Sequence, residues 1–154
     1  MLTLSKQTDY ALLALSYLTS AATERPASTR EISEQFDIPL EHLAKVLQKL
    51  ARASLINSTP GPTGGYRLRL PAEEITVANV IECIDGRPAL AQCFRTDHSD
   101  CGQINKCTIR KPLERINERL FEMLDLISLA EINAESARPG EMRSLKLTPI
   151  SLTR

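Results

Sequence analysis

Three cysteines, Cys93, Cys101 and Cys107, fall within one short stretch of this chain. The segment between them is polar and contains Gly102. Thiolates on one loop can all reach a single soft metal centre. The spacing Cys-x7-Cys-x5-Cys lacks the paired Cys-x2-Cys of a zinc finger or ribbon. A polar, glycine-containing loop suits a larger inorganic cluster, because iron–sulfur clusters are held by thiolates at irregular spacings. Three cysteines leave one coordination position for another side chain. His98 and Asp97 are local candidates, and Asp9 is a remote one. On spacing alone three chemistries remain open: an iron–sulfur cluster, a metal-free thiol–disulfide switch, and a Cys3His zinc site using His98. Cys83, within Ile81-Glu82-Cys83-Ile84, reads as a small core hydrophobe.

The chain that must position this loop has 154 residues, enough for one compact domain, or a small domain plus an oligomerisation element. Aromatic residues make up only 4%, so the core is built from Leu, Ile, Val and Ala. The start, Met1-Leu2-Thr3-Leu4-Ser5-Lys6, lacks the order of a signal peptide, and apolar runs are too short to span a membrane. The expectation is a cytoplasmic protein with no membrane partner. In a reducing compartment its cysteines are buried thiols or ligands rather than structural disulfides. Catalysis is not indicated: His42 and His98 are the only histidines, and no nucleophile–base arrangement is visible.

Net charge is zero, but its distribution is uneven. Between His42 and Leu70 there is no Asp or Glu, while Lys45, Lys49, Arg52, Arg67 and Arg69 all occur there. From Pro71 to Asn105 the balance reverses, with Glu73, Glu74, Glu82, Asp85, Asp97 and Asp100 against Arg87 and Arg95. A basic face beside an acidic segment is the electrostatic footprint of a nucleic-acid binder.

The periodicities agree. A first helix is predicted from about Lys6 to about Ala22, with Ser5 as N-cap and Leu12, Leu15 and Leu18 in a stripe. Ser28-Thr29-Arg30-Glu31 has capping-box form and opens a short helix to Phe36. Asp37-Ile38-Pro39 is a tight turn with Pro39 at the first helical position. A third helix to about Ala53 carries Leu43, Val46, Leu47 and Leu50 on one face. Two short helices about a tight turn form a helix-turn-helix. Leu55 to Ser58 and Tyr66 to Leu70 read as strands around the breakers Thr59 to Gly65, a hairpin placed as a wing. Thr76 to Ile84 is a further short helix with Thr76 as N-cap and Gly86 beyond its end. After the cysteines, Leu113, Ile116, Leu120, Met123, Ile127 and Ala130 keep a three-four spacing, a heptad seam on one long helix. The fold class is therefore mainly α with a small β-hairpin: a winged helix-turn-helix over 1–85, a cysteine loop over 86–108, a long dimerisation helix over 109–132 and a mobile tail over 133–154.

In such a domain the second helix of the motif enters the major groove and its first exposed side chains meet base edges. Those are Glu41, His42 and Lys45. Glu41 can accept from a cytosine amino group and Lys45 can donate to guanine acceptors. Lys49 and Arg52 suit phosphates. Arg67 on the wing suits phosphate or the minor groove, and Gly64 and Gly65 beside Tyr66 let the backbone approach a duplex.

These residues resemble the bacterial Rrf-two, or IscR-like, regulators. The resemblance rests on Leu4-Ser5-Lys6-Gln7-Thr8-Asp9-Tyr10-Ala11, the helix-turn-helix through Leu50, and the wing turn Gly61-Pro62-Thr63-Gly64-Gly65-Tyr66. It extends to Ile75-Thr76-Val77-Ala78-Asn79-Val80-Ile81 and to three cysteines before a long helix, and so covers roughly residues 1 to 132. It implies a homodimer that binds double-stranded operator DNA, with a [2Fe-2S] or [4Fe-4S] cluster on Cys93, Cys101 and Cys107. It raises that reading above zinc or a cluster-free thiol sensor. The IscR type has a shorter first gap and a histidine three residues after its last cysteine, where this chain has Arg110. Nitric-oxide-sensing members use an aspartate from the partner's first helix, and the matching residue is Asp9. As a whole the chain looks most similar to regulators of the sulfur-mobilisation (Suf) operon, which implies iron–sulfur assembly genes as targets.

Overall fold

A computed structural model describes residues 3–20, 25–91, 94, 102–103 and 105–136. Among these the elements are α1 (Lys6–Ser20), α2 (Thr29–Phe36), α3 (Leu40–Arg52), β1 (Ile56–Thr59), β2 (Gly65–Leu68), α4 (Val77–Asp85), α5 (Arg110–Asp125) and α6 (Leu129–Ser136). The fold is mainly helical with one antiparallel hairpin.

The expected punctuation sets the helix starts. The Ser28 hydroxyl accepts from the Glu31 amide at 3.2 Å and opens α2. The Glu31 carboxylate is held by the Tyr17 hydroxyl at 2.7 Å and by both Arg25 guanidinium nitrogens at 2.9 and 3.0 Å. Thr76 and Asn79 form a reciprocal capping box on α4, which ends at Gly86 with φ of 79°. Pro39 is the N-cap of α3 rather than its first helical residue. It is an N-cap without a side-chain hydrogen bond, since proline has no side-chain acceptor.

The core is aliphatic. Leu15, Ile32, Leu43, Val46, Leu47 and Leu50 are fully buried where α1, α2 and α3 meet, and Ile75 and Val80 join them around α4. The hairpin pairs Ile56 with Leu68 and Thr59 with Gly65. The Ala27 and Tyr66 backbones exchange hydrogen bonds at 2.8 and 3.0 Å, which pins the wing to the entry of α2. That contact explains Gly65: a Cβ there would sit 2.4 Å from the Ala27 carbonyl oxygen, and one on Gly64 would sit 2.1 Å from that of Thr59. Both glycines answer to backbone approach within the protein itself.

The C-terminal helix differs from the expected single rod. It stops at Asp125 and a separate helix starts at Leu129. The cause is a second capping box, legible as Ser128-Leu129-Ala130-Glu131. The Ser128 hydroxyl accepts from the Glu131 amide at 3.2 Å, and the Glu131 carboxylate accepts from the Ser128 amide at 3.0 Å. The break lets Ile127–Ala130 lie along the start of α4. The Val77 amide donates to the Ile127 carbonyl at 2.9 Å, Leu129 to Ile75 at 2.8 Å and Ala130 to Ala72 at 3.2 Å. Leu129 is 1% exposed and belongs to the core. Helix α6 then packs on α1, where the Ser16 hydroxyl donates to the Asn133 side-chain oxygen. Residues 133–136, expected in the tail, are thus helical, and residues 137–154 lie outside the described residues.

Helix α5 packs against α4 yet has no fully buried residue. Ile109, Ile116, Met123 and Leu126 are all exposed along it.

Candidate nucleic-acid interface and cysteine loop

Helix α3 divides cleanly. Leu43, Val46, Leu47 and Leu50 face the core, and Glu41, His42, Lys45, Gln48 and Arg52 are exposed on the opposite side. Glu41 stands in the first turn, where a carboxylate is also favoured by the helix dipole. Arg67 is exposed on β2, Gly64 and Gly65 are partly covered at the wing turn, and Tyr66 is half-buried against the core.

Lys49 is placed differently from its expected phosphate role. Its ammonium donates to the Gln7 side chain at 2.8 Å and to the Ile84 carbonyl at 3.2 Å, so it ties α3 to α1 and α4. An amine held twice within the protein is a poor donor to DNA, and the geometry favours a fastening role.

Beside Lys49 lies a junction that pattern reading does not find. The Asp85 carboxylate accepts from the Ser5 hydroxyl at 2.7 Å, the Thr8 hydroxyl at 2.7 Å and the Ser5 amide at 3.4 Å. Thr8 is fully buried. A residue from the end of α4 thus closes the start of α1. Its only sequence signal is an acidic residue just before Gly86, and nothing in helical periodicity reports a partner eighty residues away. Burial works against ionising Asp85, but the two hydroxyls, the Ser5 amide and the nearby Lys49 charge outweigh it and hold the carboxyl below its ordinary value. A lowered carboxyl contributes stability above its unfolded value of about 3.9, and that contribution is lost as pH falls through the lower folded value. Asp85→Asn is therefore expected to destabilise by about 1–2 kcal/mol at pH 6, the low side for bonds to a charged group because the residue is water-accessible. In urea unfolding series, the gap between wild type and variant should close on going from pH 5 to pH 2.

The cysteine loop leaves from this junction. Arg87 lies over the Phe121 ring at 4.6 Å, and the Leu90 amide donates to the Asn117 side chain at 2.9 Å, so the outgoing segment runs along α5. Cys107 is half-buried, two residues before the N-cap of α5, Ile109, which makes no side-chain capping bond. Arg110 and Lys111 follow in the first turn. An uncapped helix N-terminus with two cations next to a thiol suits an anionic group. Cys93, Cys101, Asp97 and His98 lie outside the described residues, and among the described residues no group of three potential ligands is assembled. Cys83 is packed on α3, its thiol 3.6 Å from the Lys49 carbonyl, and burial pushes the thiol up from its ordinary value. It remains a core residue, unsuited to ligation. Asp9 is exposed in the first turn of α1.

Residues 4–135 match the family model Rrf2, described as an iron-dependent transcriptional regulator. The chain belongs to the Rrf2 family. It is 32% identical over 133 residues to the HTH-type transcriptional regulator IscR of Aliivibrio salmonicida, covering 86% of this chain and 78% of that one. It is 30% identical over 129 residues to the HTH-type transcriptional regulator NsrR of Oceanobacillus iheyensis, covering 84% and 88%. The fold matches the structure of CymR, the global cysteine regulator of B. subtilis, with a TM-score of 0.69 at 23% identity, over 88% of this chain and 98% of that one. This Rrf2 protein is accordingly a transcription regulator of the winged-helix kind, not an enzyme. Among the described residues no helix is long and apolar enough to cross a membrane.

Proposed function

We propose that this Rrf2 protein is a cytoplasmic, homodimeric regulator that senses through an iron–sulfur cluster, [2Fe-2S] or [4Fe-4S], and controls iron–sulfur assembly genes of the Suf type. The observation that carries the cluster is the thiol triad Cys93, Cys101 and Cys107, whose last member sits at an uncapped, cation-flanked helix start. Three thiolates and one weaker ligand are a suitable donor set for such a cluster. In this reading Asp9 of the partner subunit supplies the fourth position. A carboxylate exchanges more readily than a thiolate, and would leave the site open to oxygen or nitric oxide. Glu41, His42 and Lys45 read bases, while Arg52 and Arg67 hold phosphates or the minor groove, and Gly64, Gly65 and Tyr66 shape the wing turn that presents Arg67.

Contacts among the described residues support a route from cluster to DNA. The loop is fastened to α5, and it departs from Asp85, which holds α1. Lys49 then joins α1 and the end of α4 to the recognition helix. A change of loop state can thus shift α3 through contacts that are all on one path.

Protein purified without oxygen is expected to be coloured and to contain iron and sulfide. Cys93→Ala, Cys101→Ala or Cys107→Ala should each abolish the visible absorption, and Cys83→Ala should retain it. Asp9→Ala should keep the cluster but change its rate of loss on adding nitric oxide. Colourless protein with stoichiometric zinc, or with a reversible disulfide and no metal, would replace the cluster with one of the two other chemistries.

A further inference from the structure

The first turn of α3 carries an apolar side chain where a DNA-reading surface would be expected to be polar. Leu40 is 46% exposed, with Glu41, His42 and Lys45 exposed around it. It lies outside the buried set of Leu43, Val46, Leu47 and Leu50 that anchors the helix. A single exposed leucine is ordinary on a protein surface. Position is what distinguishes this one. Pro39 caps the helix, so Leu40 is its first residue, at the end that enters a major groove. Ala44, one turn on and half-exposed, extends the same row, giving a short apolar strip along the edge of the Glu41–Lys45 pair.

The major groove offers hydrogen-bond donors and acceptors at every base pair, and one apolar group: the C5-methyl of thymine. We propose that Leu40, backed by Ala44, is a specificity-determining residue that packs on a thymine methyl in each half-site. The inference rests on α3 being the recognition helix. It adds an apolar reader to the polar readers Glu41 and Lys45. Covering a methyl removes apolar surface from water on both partners, and leaves no polar group unpaired when the base is thymine. A cytosine at that position carries only a hydrogen at C5, so the leucine would lose its methyl partner, and discrimination would come from that lost apolar contact.

The test separates the methyl from every other feature of the base. A binding duplex is selected from random sequences using the full-length, anaerobically prepared protein. Each thymine, with its symmetry mate, is then replaced by deoxyuridine, which lacks only the methyl. Wild type is expected to lose about fourfold in Kd per contacted methyl at one symmetric thymine pair, the effect of one buried methyl group. Leu40→Ala should bind the thymine duplex more weakly, and be indifferent to deoxyuridine at that pair. Leu40→Ser provides a second variant with the same expectation. Lys45→Ala should bind more weakly still but keep the thymine–deoxyuridine ratio. Thermal melts confirm that the leucine variants are folded.

Wild type that binds its duplex yet ignores every deoxyuridine substitution overturns the proposal. So does a Leu40→Ala protein that keeps the full ratio. Both results leave the DNA-binding reading intact. Wild type that selects no duplex at all overturns that reading, and the proposal with it.

Discussion

Ile116→Glu is expected to turn the protein into a folded monomer with operator affinity reduced by about 10²–10⁴-fold, the loss that follows when two linked half-site contacts become one. Ile109, the N-cap of α5, and Ile116 and Met123 within it recur every seven residues, and all are exposed. Leu113, Leu120 and Ile127, the other half of the seam, are half-buried within the subunit. The seam is therefore shared: among the described residues one edge packs inside the subunit and the other faces outwards. An apolar edge repeated at heptad spacing is suited to an identical helix related by a two-fold axis. Ile116 is the cleaner probe than Leu120 because it is 53% exposed, so a charge there does not disturb the α4–α5 contact. Sedimentation velocity and a thermal melt on the same sample give the answer. A variant that sediments as a dimer and binds normally would move the interface off α5.

Much of this architecture is readable from residue types. The N-caps Ser28 and Thr76, the breaker Gly86 and the alternation around the wing set elements α2, β1, β2 and α4 within a residue or two of their predicted bounds. These signals are local, and local chemistry decides them. Three features are not legible for physical reasons. Lys49 reads as a phosphate contact because an exposed-looking lysine on a basic stretch carries no mark of the glutamine and carbonyl that hold it. Asp85 gives no sign of Ser5 and Thr8, because its partners are distant in sequence and a carboxylate near a helix end is common. The break at Leu126–Ser128 is hidden by the heptad spacing, which runs on through Ile127 and Ala130 as if the helix did too. Ser128 and Glu131 carry the contrary signal, a local cap inside a longer-range period, and the cap prevails.

That break makes the last large prediction, Leu129→Ala, which should destabilise the protein by about 2–5 kcal/mol, the range for truncating a buried leucine. Had the helix continued and the chain beyond it been a tail, Leu129 would face solvent and the change would be near neutral. Instead the side chain is 1% exposed, and the amide on either side of its Cα anchors the segment, Leu129 to Ile75 and Ala130 to Ala72. The cavity left by truncation opens beneath these bonds, where the chain has just turned and cannot easily collapse inward. Leu126→Ala supplies the control: at 81% exposure it should change stability by no more than about 0.5 kcal/mol. Urea midpoints for the two variants, at equal protein concentration so that dimer dissociation does not enter the comparison, distinguish the cases. Since α6 lies on α1 and α1 carries Asp9, Leu129→Ala should also speed amide exchange along α1. Equal stability of the two variants would mean that Ile127–Asn133 does not complete the core.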